Sequence, residues 1–269
     1  MKNKYPLSSI HPDARIADDV VIEPFVTVHG DVEIGPGTWV GSHASIMSGV
    51  KLGENCKIFP GAVVGAIPQD LKFKGENTSL EIGDNVIIRE YCTINRGTKA
   101  SDTTIIKDNA LLMAYVHVAH DCVIGKNCVL ANNVTLAGHI EVGDYAILGG
   151  LTAVHQFVKI GAHAFVGGGS RVRKDVPPYV KAAREPLSYA GVNSIGLKRR
   201  GFDTETIHQI QDIYRVLFVH KGVNISQAVD QIIRDCEPSD VKDYILNFVK
   251  DSQRGLMKGF KHLNGHKSK

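Results

Sequence analysis

The chain has 269 residues, with 31 Lys and Arg against 28 Asp and Glu and a net charge of +3. So weak an imbalance gives no case for nucleic acid as a partner, and no apolar run approaches the ~20 residues of a membrane span. The first residues, Met1-Lys-Asn-Lys-Tyr-Pro6, lack the apolar stretch of a secretory signal, so the expectation is a cytoplasmic protein that is not integral to the membrane.

From Ile10 to Val172, 25 of the 28 positions spaced six apart hold Ile, Leu or Val. A period of six fits neither a helix nor simple strand alternation; it predicts a parallel β-helix of hexapeptide repeats. Four places after each aliphatic comes a small residue, as at Ala44, Cys56, Ala62, Cys92, Cys122 and Ala146. One place after it comes glycine in many repeats, as at Gly35, Gly53, Gly83, Gly125 and Gly143, often followed by Asp or Asn. Gly, Asn and Asp tolerate positive φ, so each hexad reads as a short strand and a corner, with the glycines expected at the corners. Three hexads make an 18-residue triangular coil. Roughly nine coils at about 4.8 Å spacing give a prism on the order of 45 Å long.

Two stretches break the hexad and rejoin it, residues 65–81 and 97–104. Both read as loops thrown out from the wall, where function often sits. Cys56, Cys92, Cys122 and Cys128 fall in the small interior slot and read as buried fillers rather than disulfides, ligands or nucleophiles; Cys236 lies in a helical pattern and reads as packing. After Pro177-Pro178 the six-fold pattern stops. Helical periodicity starts near Asn193, with Asp203 as N-cap of a helix to about Val219 ended by Gly222, Ser226 capping a second and Ser239 a third. The expected layout is a β-helix over 1–186 and a small all-α domain over 187–269 that closes the open prism end. The Lys- and His-rich last ten residues are expected to fray.

The period also places the histidines. Counted modulo 18, His117, His120, His139 and His155 have phases 9, 12, 13 and 11, and all fall in outward slots. Gly138 and Gln156 share the phase of His120, and Asp121 that of His139. A wall of imidazoles with a carboxylate beside it is thus predicted on one edge. Three readings stay open: a solvated polar corner, a zinc site, and a general base among substrate-binding neighbours.

Several segments are more specific than the repeat: Gln69-Asp-Leu-Lys72, Ile94-Asn-Arg-Gly-Thr98, His117-Val-Ala-His-Asp-Cys122, Leu136-Ala-Gly-His139, Asp175-Val-Pro-Pro-Tyr179 and Gly196-Leu-Lys-Arg-Arg-Gly-Phe202. By these the chain resembles the acyl-acyl carrier protein–UDP-N-acetylglucosamine O-acyltransferases, which open lipid A synthesis. The resemblance covers nearly the whole chain. It implies a left-handed coil, a homotrimer with sites between neighbouring prisms, acyl carrier protein and a UDP-sugar as partners, and no cofactor beyond the carrier's phosphopantetheine. It matches His120 to the general base, Asp121 to its orienting carboxylate and Gly138 to the oxyanion donor. Asp70, Lys72, Asn95, His117, His139, His155 and Gln156 match substrate positions. Asn193, Arg199 and Arg200 match the nucleotide-holding region, and Gly168 the acyl-chain ruler. No metal ligand is implied.

The chain departs from the family pattern at Asn95, where His is frequent, and at Ile195, where an acidic residue is frequent. Asn95 therefore raises a 3-amino UDP-sugar as an alternative acceptor. A γ-class carbonic anhydrase-like zinc enzyme is a second alternative, disfavoured by Arg199-Arg200 and the helical domain. A non-catalytic solenoid is a third, disfavoured by the varied, His-rich outer face. The N-acyltransferase later in the same pathway usually carries an extra N-terminal domain, for which hexads starting at Ile10 leave no space.

Overall fold

The computed structural model describes residues 4–219 and 224–259. The expectations for Gly222 and for the last ten residues lie outside these. Among the described residues, short strands, most of two residues, wind into three sheets of nine, eight and ten strands, parallel but for one terminal strand, that form the three walls of a prism. Neighbours pair at a separation of 18, as in Val118↔Leu136 and Leu136↔Val154. The separation rises to 30 across the first break (Val64↔Ile94) and to 24 across the second (Ile94↔Val118). The loops therefore insert twelve and six residues without disturbing the aliphatic ladder. Ile46, Val64, Ile94, Val118 and Leu136 stack in one such ladder and are fully buried.

The four wall cysteines are buried and free. Burial pushes the thiols of Cys56 and Cys92 up to about 11, and those of Cys122 and Cys128 up to about 12. They stay protonated and fill space, as the slot predicted.

The corners differ from the sequence expectation. Apart from Gly65, where the chain leaves the wall, the glycines one place after the aliphatic do not carry the positive φ. Apart from Asp102, Tyr179 and Arg184, every described non-glycine residue with positive φ stands three places after it, from Phe25 through Asn55, Asn85 and Asn127 to His163. The earlier glycines answer to close stacking of coil on coil. A Cβ on Gly35 would come within 2.6 Å of the Gly53 carbonyl oxygen, and one on Gly143 within 2.5 Å of the Ala162 nitrogen.

The third sheet continues past residue 186. Strand Val180–Ala183 runs parallel to its neighbour, and Ser188–Val192 folds back antiparallel on it. Among the described residues four helices follow: α1 (Ser194–Arg199), α2 (Thr204–Phe218), α3 (Ile225–Asp235) and α4 (Asp240–Lys250). Asp203 and Ser239 cap α2 and α4 as expected. The cap of α3 is Asn224 rather than Ser226: its side chain accepts from Gln227 N, and the Gln227 side chain answers to Asn224 N. Ile210, Ile213 and Tyr214 of α2 are fully buried, and the Tyr214 hydroxyl donates to Pro178 O at 2.6 Å. The helices thus pack apolar side chains against the wall near Pro178.

His163 lies in this junction, stacked between Tyr145 and Tyr179 with Phe202 against its edge. Burial, and then the nearby Arg200 charge, lower its pKa to about 4. The unfolded value is about 6.5, so the unfolded chain binds the proton first. Stability is complete above pH 6.5 and falls as pH drops from about 6.5 towards 4. His163→Asn should flatten the fall of Tm over that window; Asn suits the left-handed corner, as Asn127 does two coils earlier on the same edge. An unchanged Tm slope in calorimetry would remove His163 as the cause.

Candidate active site

The histidine corner forms as the phases predicted. His120 Nδ1 lies 2.7 Å from Asp121 Oδ2, and the Asp121 side chain is 1% exposed against 13% for His120. The carboxylate accepts from Thr98 N at 2.9 Å, Thr98 Oγ1 at 2.6 Å and Ser101 Oγ at 2.6 Å. Burial pushes its pKa up, but these donors and His120 outweigh it and hold the carboxyl below its ordinary value. Thr98 and Ser101 escaped the sequence reading because they sit on the 97–104 excursion. Thr104, on the returning strand, accepts from Asp121 N at 2.8 Å through its hydroxyl.

Gly138 lies directly under the imidazole. A Cβ there would come within 2.5 Å of His120 Cε1 and 2.7 Å of Nε2. The flanking amides of Ala137 and His139 donate to Val154 O and His120 O, whereas the Gly138 N–H donates to no backbone carbonyl among the described residues. It is a free donor beside the base.

His139 meets His120 edge-on at 5.0 Å between ring centroids and stacks on Phe157 at 4.5 Å. Burial lowers its pKa, and Asp121 and Asp70 partly oppose that. His117 accepts or donates at 2.7 Å with Thr93 Oγ1, and burial lowers its pKa too. Burial therefore favours the neutral imidazole in both. The 65–81 loop brings Asp70, Lys72 and Phe73 over the same corner, where they line an open cleft with Thr98 and His139. Gln156 and His155 lie further up the edge, exposed, and His155 Nδ1 is 3.0 Å from Arg254 Nη2.

Three predicted groups lie elsewhere. Asn95 is 2% exposed, and its amide donates to Ala66 O and Ile67 O at the loop base. It is turned into the wall and does not face the cleft. Arg200 packs over Tyr145 at 5.3 Å beside His163, and Asn193 Nδ2 donates to His163 O at 3.0 Å. This cluster, with exposed Arg199 on α1, occupies a second edge of the prism, one whole wall from His120. Gly168 lies on the third edge, next to Gly150.

One atom each from His120, Asp121 and His139 fall within 4.8 Å of one another, close enough to hold a metal ion. The donor set fits a metal poorly. Both Asp121 oxygens are already taken by protein donors, and His120 Nδ1 is spent on one of them.

The comparisons agree with the geometry. The family model described as bacterial transferase hexapeptide matches residues 31–66 and 103–138, and the one described as Udp N-acetylglucosamine O-acyltransferase, domain 2, matches 175–257. An acyl-[acyl-carrier-protein]–UDP-N-acetylglucosamine O-acyltransferase of Chlorobaculum parvum is 58% identical over 256 residues, covering 93% of this chain and 97% of that protein. The chain belongs to this O-acyltransferase family. The crystal structure of a UDP-N-acetylglucosamine acyltransferase from Bacteroides fragilis superposes with a TM-score of 0.91 at 45% identity, covering 94% of this chain and 99% of that one. The Acinetobacter baumannii enzyme gives a TM-score of 0.91 at 40% identity, covering 94% and 99%. The acyltransferase fold is a left-handed parallel β-helix with a small helical domain. The family is named for oxygen acylation, and the 3-amino acceptor is not favoured.

Proposed function

We propose that this acyltransferase moves a 3-hydroxyacyl chain from the thioester of acyl carrier protein to the glucosamine 3-hydroxyl of UDP-N-acetylglucosamine, the step that opens lipid A biosynthesis, in the cytoplasm and without a resident cofactor or metal. The observation that carries the reading is the His120–Asp121 pair at 2.7 Å above a free Gly138 N–H. Asp121 fixes the tautomer with the proton on Nδ1, so Nε2 has the lone pair of a base. Nε2 takes the proton of the sugar hydroxyl as its oxygen attacks the thioester carbonyl. The Gly138 N–H stabilises the oxyanion that forms. On collapse the C–S bond breaks, and the thiolate takes the proton from Nε2. No covalent acyl-enzyme forms.

Purified protein given a 3-hydroxyacyl carrier and UDP-N-acetylglucosamine should transfer the chain, and His120→Ala should lose at least about a thousandfold in kcat. Unimpaired transfer by His120→Ala would reject the base. Absence of transfer by the wild type, with stoichiometric zinc on metal analysis, would favour the carbonic anhydrase-like zinc reading instead.

The separation of His120 and Arg200 on different edges supports a homotrimer, because a second copy must bring Arg199 and Arg200 to the base. Arginine suits a diphosphate by its forked, permanently charged donors. Mixing inactive His120→Ala with inactive Arg200→Ala subunits should then restore part of the activity. Mixed oligomers that stay inactive would argue against a shared site.

A further inference from the structure

The resemblance matched Asn95 to a substrate position, yet its amide nitrogen and the backbone N–H groups of Arg96, Gly97 and Thr98 are spent on protein. Asn95 Nδ2 donates to Ile67 O at 3.1 Å and Ala66 O at 3.4 Å, and Arg96 N donates to Ala66 O at 3.0 Å. These carbonyls belong to the outgoing leg of the 65–81 loop. Gly97 N donates to Ser79 O at 3.0 Å, on the returning leg. Arg96 Nη1 donates to Ser48 O at 3.1 Å, and its guanidinium lies 5.8 Å from the Phe73 ring of the loop. One residue later, Thr98 holds the Asp121 carboxylate through both N–H and hydroxyl. Four consecutive residues therefore tie both legs of the loop to the partner of the base.

The loop has little else to hold it. Two of its large apolar side chains point outward, Ile67 at 59% and Leu71 at 102% exposure, and Phe73 is only half-buried, against Arg96. Its internal hydrogen bonds, such as Lys72 N to Asp70 Oδ1 at 2.9 Å, shape the tip but do not anchor it. The bulge between Val64 and Ala66, with Gly65 at φ +85, marks where the chain leaves the wall. Asn95 sits at that exit, 2% exposed, with its Oδ1 lacking a hydrogen-bond partner among the described residues.

The geometry points to Asn95 as a latch: a positioning residue that seats the loop so that Asp70 and Lys72 stand over His139 and the acceptor sugar. This deepens the transferase reading and rests on it. The function required at position 95 is a buried hydrogen-bond donor, not a sugar contact. It also explains how asparagine can stand where the family often has histidine, since both side chains can donate to a carbonyl.

The test uses the full chain. Asn95→Asp keeps the shape but replaces the donor with an acceptor facing two carbonyls. It should raise KM for UDP-N-acetylglucosamine roughly tenfold or more while changing kcat less than about threefold. Asn95→His should restore most of the loss. In an Asp70→Ala background, Asn95→Asp should add little, because both changes act through the same loop. Trypsin should cut the Asn95→Asp protein faster at Lys72 and Lys74, with Tm nearly unchanged. An unchanged KM, KM effects that multiply in the double variant, or a lowered Tm with an unaltered cleavage rate would overturn the latch. Failure of the wild type to transfer would fail the transferase reading alone, since the trypsin comparison stands without turnover.

Discussion

Asp121→Asn is expected to lower kcat by about a thousandfold or more while leaving the protein folded, on the precedent of other His–Asp pairs. The Asp121 carboxylate accepts from four donors: Thr98 N, Thr98 Oγ1, Ser101 Oγ and His120 Nδ1. An amide offers one accepting oxygen and a donating nitrogen. If the nitrogen faces Thr98 and Ser101, donors oppose a donor in a site that is 1% exposed. If it faces His120, Nδ1 must accept, the proton moves to Nε2, and the base is lost. The backbone is no obstacle, because position 121 has φ +59 and asparagine occupies the same slot at Asn127 and Asn133. A milder companion is Ser101→Ala. Burial would then be less opposed, the Asp121 pKa would rise, and the acid limb of kcat/KM should move to higher pH. Asp121→Asn with near wild-type kcat would remove the carboxylate from the mechanism.

The physics of the repeat explains what was legible. A strict period of six fixes inside from outside, and a coil of 18 fixes which outward residues share an edge. His120, Asp121, Gly138 and His139 fell together by arithmetic, because residues 106–172 contain no break. Thr98, Ser101 and Thr104 were hidden for the opposite reason. They lie on or beside an excursion whose path the period does not dictate, although the Ser/Thr-rich run from Thr98 to Thr104 was a usable signal. Asn95 was misjudged because a wall position counts as outward only until a loop covers it. The corner glycines were misjudged because close stacking and positive φ both select glycine, and composition cannot separate them. The Asn224 cap carried its own signature, Gln227 three residues on, and was passed over for Ser226. The edge that Arg199 and Arg200 join could not be read at all, since α1 lies beyond the six-fold phase.

Gly138→Ala is expected to be nearly as damaging as loss of the base, and it isolates geometry from chemistry. The added methyl would sit 2.5 Å from His120 Cε1, 2.7 Å from Nε2 and 3.1 Å from Nδ1. The neighbour is a ring rather than the loose end of a flexible chain, and Asp121 tethers it at 2.7 Å. Something must therefore move. If the imidazole swings away, it breaks the bond that sets its tautomer. If it stays, the backbone of the corner shifts and carries the oxyanion donor with it. Either displacement approaches 1 Å, which typically costs on the order of a hundredfold in rate. The fold should survive, because Gly138 is not among the glycines with positive φ and the aliphatic ladder behind it is untouched. The expected result is a kcat lower by at least about a hundredfold, with Tm within about 5 °C of wild type. The His120 ring resonances in NMR should shift, reporting the displaced imidazole. A folded Gly138→Ala enzyme with wild-type kcat would mean that neither the base nor the oxyanion donor stands where this corner holds it.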